Sequence, residues 1–316
     1  MSQTSTKNMM HPSLINWTLN VIDPQASTFT PPEDMRQKIS QINALPPLPG
    51  IALRILKLGS DPLADSRKLG ELIEQDPQLT AQVIRWASSA FYGYKGKITS
   101  VQDAISRVLG FDFVFNLALG LASLASLKAP RDGQIGTKMF WTHALASTHL
   151  MKALNEKIPS ANRLESQQVF LAALLHNIGF PLLGDQFPKE FSYLNTLIMA
   201  NPTLTVFNLE NFALGVDHTM LGAWLMNNWA MPKPLTDIVY HHHNPRYRGD
   251  NYQLNLLTFL SDCLLGQIGI GDANHQSCPD EVFTQLQLSV ATCNEMLDKL
   301  SDAVESITVT AGILTA

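Results

Sequence analysis

Seven residues behind position 136 have the types and spacing that a helical metal site requires: His143, His176, His218, the run His241-His242-His243, and Asp262. Imidazole nitrogens and carboxylate oxygens ligate divalent transition metals, and helical bundles assemble such sites from side chains that project inward from facing helices. The patterning places His143 on the inner side of a long helix and His176 with Asn177 at the end of a second. His218 opens a further helix beside its cap, the His run closes the next, and Asp262 falls mid-helix in an apolar segment. Any one of these histidines is more often a hydrogen-bonded core or surface residue than a ligand, so the weight rests on the set. No other constellation competes: Gly-x-Ser-x-Gly, GxxxxGK[ST], Gly-x-Gly-x-x-Gly and CxxC are all absent, and His275 with Cys278 is half a zinc site without a second half.

The elements that would position these groups are helical. The 316 residues are 45% apolar and 16% charged, a folded composition whose charged fraction falls below the roughly 25% of typical chains, as expected where helices stack in layers or meet a partner. A net charge of −5 without a basic stripe argues against a nucleic-acid ligand. The longest uniformly apolar stretch, Val114 to Leu127, is shorter than the roughly 20 residues of a membrane helix and reads as a buried core helix. Three widely spaced cysteines and no visible secretory signal point to the cytoplasm.

Residues 1–32 are polar, lack periodicity and end in Thr30-Pro31-Pro32, as a loosely held extension does. From Glu33 the pattern is helical, broken and restarted at Pro46, Pro47 and Pro49. Asp76-Pro77 is an N-cap with a first-turn proline, Ser100 and Asp103 form a capping box, and Gly110 is a stop. Phe111 to Lys128 continues as helix, and Ala129 to Gly136 divides an N-terminal helical layer, 33–130, from a C-terminal bundle, 131–316. Helices are expected over Thr137–Lys157, Leu164–Asn177, Lys189–Ala200, Asp217–Ala230, Pro232–His243 and Leu254–Ile268, with short ones from Asp280. Ile307 to Thr310 is the one strand-like run, so the fold class is all-α: an N-terminal helical layer packed on a helical bundle. Phe91-Tyr92-Gly93-Tyr94 suits either a contact loop or, for Phe91 above all, a core plug.

The order of His143, then Leu174-Leu175-His176-Asn177-Ile178-Gly179, then two further His positions and a late Asp resembles the HD superfamily of metal-dependent phosphohydrolases. More closely, the chain resembles the HDOD (HD-related output domain) family. The residues carrying that likeness are Leu45-Pro46-Pro47-Leu48-Pro49, Gln75-Asp76-Pro77, Ser89-Ala90-Phe91-Tyr92-Gly93, Ile98-Thr99-Ser100, Leu109-Gly110, Phe140-Trp141-Thr142-His143, Asp217-His218, Leu221-Gly222-Ala223 and Trp229 with Pro232. It spans about two thirds of the chain, from Ile39 to Pro245. The resemblance implies an HD-like bundle, a role in bacterial signal transduction, and ligand positions at His143, His176, position 177, His218, His241 or His242, and Asp262. Pro245 favours His242, and simple spacing favours His241.

Asn177 departs from that pattern, because active HD enzymes carry Asp there. An amide has one neutral oxygen and cannot bridge cations as a carboxylate does. Losing one charge at about 4 Å and an effective dielectric near 20 removes roughly 4 kcal/mol, nearly a thousandfold in affinity. The chain is therefore expected to be a non-catalytic signalling and interaction module with a degenerate HD pocket. A separate protein chain is its expected partner. No cofactor is expected beyond a divalent metal (Mn, Mg, Fe or Zn) held at low occupancy. The alternatives are a phosphohydrolase acting on nucleotides or phosphoesters, and a nucleotide or small-ligand sensor. Neither a nucleic acid nor a membrane is an expected partner. Any exposed apolar patch is expected on the N-terminal layer, between Leu45 and Leu127.

Overall fold

The computed structural model describes Lys38 and residues 45–89, 92–274 and 276–314. The expected extension 1–32, the helix proposed from Glu33, Phe91 and His275 lie outside these residues. Every element among the described residues is helical. Among the described residues, no helix is long and apolar enough to cross a membrane.

Four short helices form the N-terminal layer: α1 (Gly50–Gly59), α2 (Ser66–Ile73), α3 (Pro77–Ala87) and α4 (Val101–Ala104), which runs on into a π-turn, Ile105–Leu109. Their starts follow the caps in the sequence. Asp76 Oδ1 accepts from the amides of Gln78 and Leu79, and Ser100 Oγ from that of Asp103, while the Asp103 carboxylate turns back to Thr99. Helix α5 (Phe111–Leu124) is buried along its length from Val114, as its unbroken apolar run requires, between this layer and the bundle.

In the bundle, α6 (Thr137–Lys157) is the central post. Around it stand α7 (Ser166–Leu175), α8 (Gly179–Gln186), α9 (Pro188–Ala200), α10 (Val206–Ala213), α11 (His218–Asn228), α12 (Lys233–His241), α13 (Tyr252–Gln267), α14 (Asp280–Leu286), α15 (Val290–Ser301) and α16 (Val304–Leu314). Helices α7, α13, α15 and α16 pack on α6, and α16 also reaches α3. One continuous core runs from Leu45 to Leu314 across the 129–136 loop. Trp229 ties the two sides directly, donating from Nε1 to the Pro46 carbonyl at 2.8 Å.

One expectation changes, and two open points are filled in. Ile307–Thr310 is helical, because Ile307, Ala311 and Leu314 share a face that α6 buries. Tyr92 is no contact residue: its hydroxyl accepts from Trp86 Nε1 at 2.7 Å and its ring meets Phe113 edge-on, whereas Tyr94 is exposed. Exposed large apolar side chains are not confined to the N-terminal layer. Leu53, Leu63 and Tyr94 lie there, but Met199, Leu204, Phe212, Met220 and Tyr240 lie on the bundle.

Candidate metal centre

Four helix features bring the pocket together. His143 projects from the middle of α6 and Asp262 from the middle of α13, which packs on it. His176 and His242 are the C-caps of α7 and α12, and His218 is the first residue of α11, whose N-cap Asp217 accepts from the Met220 amide. Gly179 lets α8 lie directly against the start of α11, since a Cβ there would overlap the His218 carbonyl.

Two groups result, each with its ligand atoms within 4.8 Å of one another, so each could hold a metal ion: His143, His176 and Asp262, and His218, His242, His243 and Asp272. In the first, Asp262 Oδ1 is 3.1 Å from His143 Nε2 and 3.4 Å from His176 Nε2. His176 Nδ1 donates to the Ala172 carbonyl at 2.9 Å, which leaves its Nε2 lone pair facing the carboxylate. In the second, His218 Nδ1 donates to Glu210 Oε2 at 2.5 Å and His242 Nδ1 to the Val239 carbonyl at 2.9 Å. Both Nε2 lone pairs then point at each other across 3.2 Å, an arrangement that needs a cation, proton or metal, to be stable.

The donor set fits a metal by the ordinary criteria. The outer nitrogens of His176, His218 and His242 are engaged by backbone or carboxylate, as metal-bound imidazoles require. His176 Nε2, Asn177 Oδ1 and Asp262 Oδ2 are buried and lack a hydrogen-bond partner, acceptors without a donor. Electrostatics agree. Burial opposes charge on His218, but Glu210, with Asp272 and Asp217, outweighs it and raises the ring to about 9. Burial likewise opposes charge on His176, and Asp262 reverses the sign. His242 has burial and three neighbouring rings against its charge and sits well below the ordinary histidine range. Asp262 is pushed up by burial, but His176 and His143 hold it below the usual carboxylate range.

The residues named from sequence are thus mostly assembled here. His241 is not: it turns to the surface side of the run and stacks on Tyr247 at 4.0 Å, and His243 takes its place. A C-cap residue at 242 rotates its successor into the pocket, which a count along an ideal helix misses. Asp272 was also missed. It follows Gly269-Ile270-Gly271, whose glycines have φ of 73° and 96°, and this pair of left-handed turns beside an acid was the available signal. Asn177 donates from Nδ2 to both His143 Nδ1 and Asp272 Oδ1, each at 3.2 Å. Cys278 belongs to neither group.

The profile of the HDOD domain matches residues 45–245. The chain belongs to the HDOD family. This HDOD chain is 32% identical to a protein of Marinobacter aquaeolei VT8 described as a candidate signal transduction protein, whose structure superposes with a TM-score of 0.79 over 98% of this chain and 67% of that one. An HDOD domain protein of unknown function from Geobacter sulfurreducens shares 22% identity at a TM-score of 0.71, covering 88% and 96% of the two chains. An uncharacterized protein of Treponema pallidum (strain Nichols) is 24% identical over 213 residues, 67% of this HDOD chain but only 40% of its own length.

Proposed function

We propose that this HDOD chain is a non-catalytic signal-transduction module that works by binding a protein partner, with its HD-type pocket serving as a closed core. The observation that carries this reading is the sealing of the pocket. His143, His176, His218, His242, Asp262 and Asp272 are all buried, Phe180 stacks on His218 at 4.1 Å, and Phe207 lies 4.9 Å from His243. The cavity beside His143, Asn177 and Asp272 measures about 10 Å³, room for one water and not for a phosphoester. The 32% identical relative described as a candidate signal transduction protein supports the same role.

A divalent ion held by His143, His176 and Asp262, or by His218, His242, His243 and Asp272, would supply a Lewis acid and an acidified water. Hydrolysis needs in addition an open position and access for substrate. The chain's own residues fill that space: Asn177 spans the two groups with its amide, and Gly271 presses on His143, a Cβ there falling 2.6 Å from the ring. The test is turnover of nitrophenyl phosphate, nucleotides and cyclic dinucleotides with Mn²⁺, Mg²⁺ or Zn²⁺. Rates equal for wild type and Asp262→Asn are expected, and a rate that the substitution abolishes would overturn the reading.

One observation favours a second role, small-ligand sensing, at a different place. A cavity of about 430 Å³ lies where α5, α6 and α7 meet, with Phe113 and Phe170 on its apolar side and Lys152, Arg163 and buried Asn116 on its polar side. Its position at the junction of layer and bundle would let a bound nucleotide bias their packing. Thermal shift against nucleotides, in wild type and Lys152→Ala, tests it.

A further inference from the structure

The three cysteines are widely spaced in the sequence, but the fold gathers them. Cys263 lies on α13, Cys293 on α15, and Cys278 at the end of the loop between α13 and α14. Cys263 and Cys293 are buried, and Cys278 is half-buried at the edge of the same core. The Cys278 thiol stands within hydrogen-bond reach of Cys263, whereas Cys293 senses Cys278 only electrostatically. Helix α13 explains how the pair meets. Gly266 is one turn beyond Cys263 on the same helix face, and the Ala273 carbonyl lies against it, so close that a Cβ would fall 2.5 Å from that oxygen. The loop is thereby laid along the face that carries Cys263, and its last residues bring Cys278 onto that thiol.

Two thiols in this contact need only a small approach to reach the S–S bond length of about 2.0 Å. The backbone can supply it, because residues 269–274 and 276–279 are not helical and so are not fixed by a helix ladder. The pair is also asymmetric in the way that reversible thiol oxidation requires. Cys278 is accessible to a small oxidant, with its Sγ 3.9 Å from the Pro279 carbonyl at the surface. Cys263 is 1% exposed, so it is shielded from the oxidant and placed where it can only resolve what forms on Cys278.

We propose that Cys278 and Cys263 form a reversible redox pair, in which a hydroperoxide oxidises Cys278 and Cys263 converts the product to a disulfide. The Cys278 thiolate attacks one peroxide oxygen, the O–O bond breaks, and the departing hydroxide takes up the thiol's proton as water. Cys278 is then a sulfenic acid. The Cys263 sulfur displaces its hydroxyl: the S–S bond forms, the S–O bond breaks, and the hydroxyl leaves with the Cys263 proton as a second water. Two thiols and one hydrogen peroxide thus give one disulfide and two waters, sulfur being oxidised and peroxide oxygen reduced. The link fastens α13 to the loop that carries Asp272, whose carbonyl already accepts from the Val206 amide at the start of α10 at 3.1 Å. Oxidation locks a junction of α10, loop and α13 that the reduced chain holds by packing and hydrogen bonds, and a thiol reductant releases it.

The experiment exposes the full chain, reduced and desalted, to hydrogen peroxide under native conditions. Free thiols are counted after quenching, disulfides are located by non-reducing peptide mapping, and the loop is followed by amide hydrogen exchange. The wild type should lose two of its three thiols, gain a peptide linking Cys263 to Cys278, and recover both thiols with dithiothreitol. Exchange at the amides of 269–274 should slow several-fold in the disulfide form. Cys293→Ser should form the same link, and Cys278→Ser should form none. Cys263→Ser should hold a sulfenic acid on Cys278 that dimedone traps; if that variant does not fold, the wild-type peptide map decides alone. A link from Cys278 to Cys293 or to a second chain, oxidation to sulfinic acid without a link, or three thiols retained at a dose that oxidises the unfolded chain would each overturn the pair. Unchanged exchange in the linked form would overturn the lock.

Discussion

What each histidine can do in this pocket is decided by its second nitrogen. His218 gives its Nδ1 proton to Glu210, whose other oxygen accepts the His218 amide at 3.1 Å, so the carboxylate carries two donors from one residue. Burial alone would lower the ring, and Glu210 instead lifts it to about 9. A histidine raised on folding contributes stability that is present below its ordinary 6.5 and lost as pH rises through the folded value. Metal-free wild type should therefore lose about 3 kcal/mol more between pH 6.5 and 9.5 than Glu210→Gln. Urea unfolding at the two pH values measures the difference, and parallel losses would contradict the assignment. His143, His176, His218 and Asp262 were legible in the sequence because each is a polar residue on or at the end of a largely apolar helix. His243 and Asp272 were not, since one depends on how a helix unwinds past its C-cap and the other on a loop without periodicity.

At the scale of elements, caps and apolar runs marked helices reliably, and breaker residues misled. Asp76, Ser100 and Asp217 start helices where their side chains accept backbone donors. Helices α8 and α10 were not anticipated. The segment of α8 contains Gly179, Pro181 and Gly184, residues that read as breakers until the neighbouring α11 and α9 stabilise the turn by packing. That packing is close enough to test. Gly179→Ala puts a methyl group against backbone that cannot rotate away, and about 3 kcal/mol of unfolding free energy should be lost. Gly312→Ala, in α16 with open space around it, should instead gain up to about 1 kcal/mol from helix propensity. Equal effects in a denaturation series would show that α8 does not pack as described.

For the whole molecule, the all-α architecture follows from the sequence because the 3.6-residue period recurs in nearly every segment, whereas the way α16 returns across α6 to α3 depends on long-range packing. One group couples the central post to solution conditions. Burial, with a smaller contribution from Lys152, lowers His149 on α6 to about 4. Its neutral form is the folded one, so stability is lost as pH falls from 6.5 towards 4. Between pH 7 and 5 the wild type should lose about 2 kcal/mol more than His149→Gln. A guanidinium series at both pH values checks this, and an equal loss in the variant would remove His149 from the account.

The HDOD profile ends at residue 245, before α13 begins at Tyr252. All five pocket histidines and Asn177 therefore lie inside the recognised domain, and both of its acids, Asp262 and Asp272, lie outside it. Domain and site have different borders. In this chain the five rings and Glu210, the partner of His218, fall in the matched segment, while the two carboxylates grouped with the rings follow it. Ending the chain at residue 245 would therefore keep every ring and Glu210 and remove both carboxylates of the two groups.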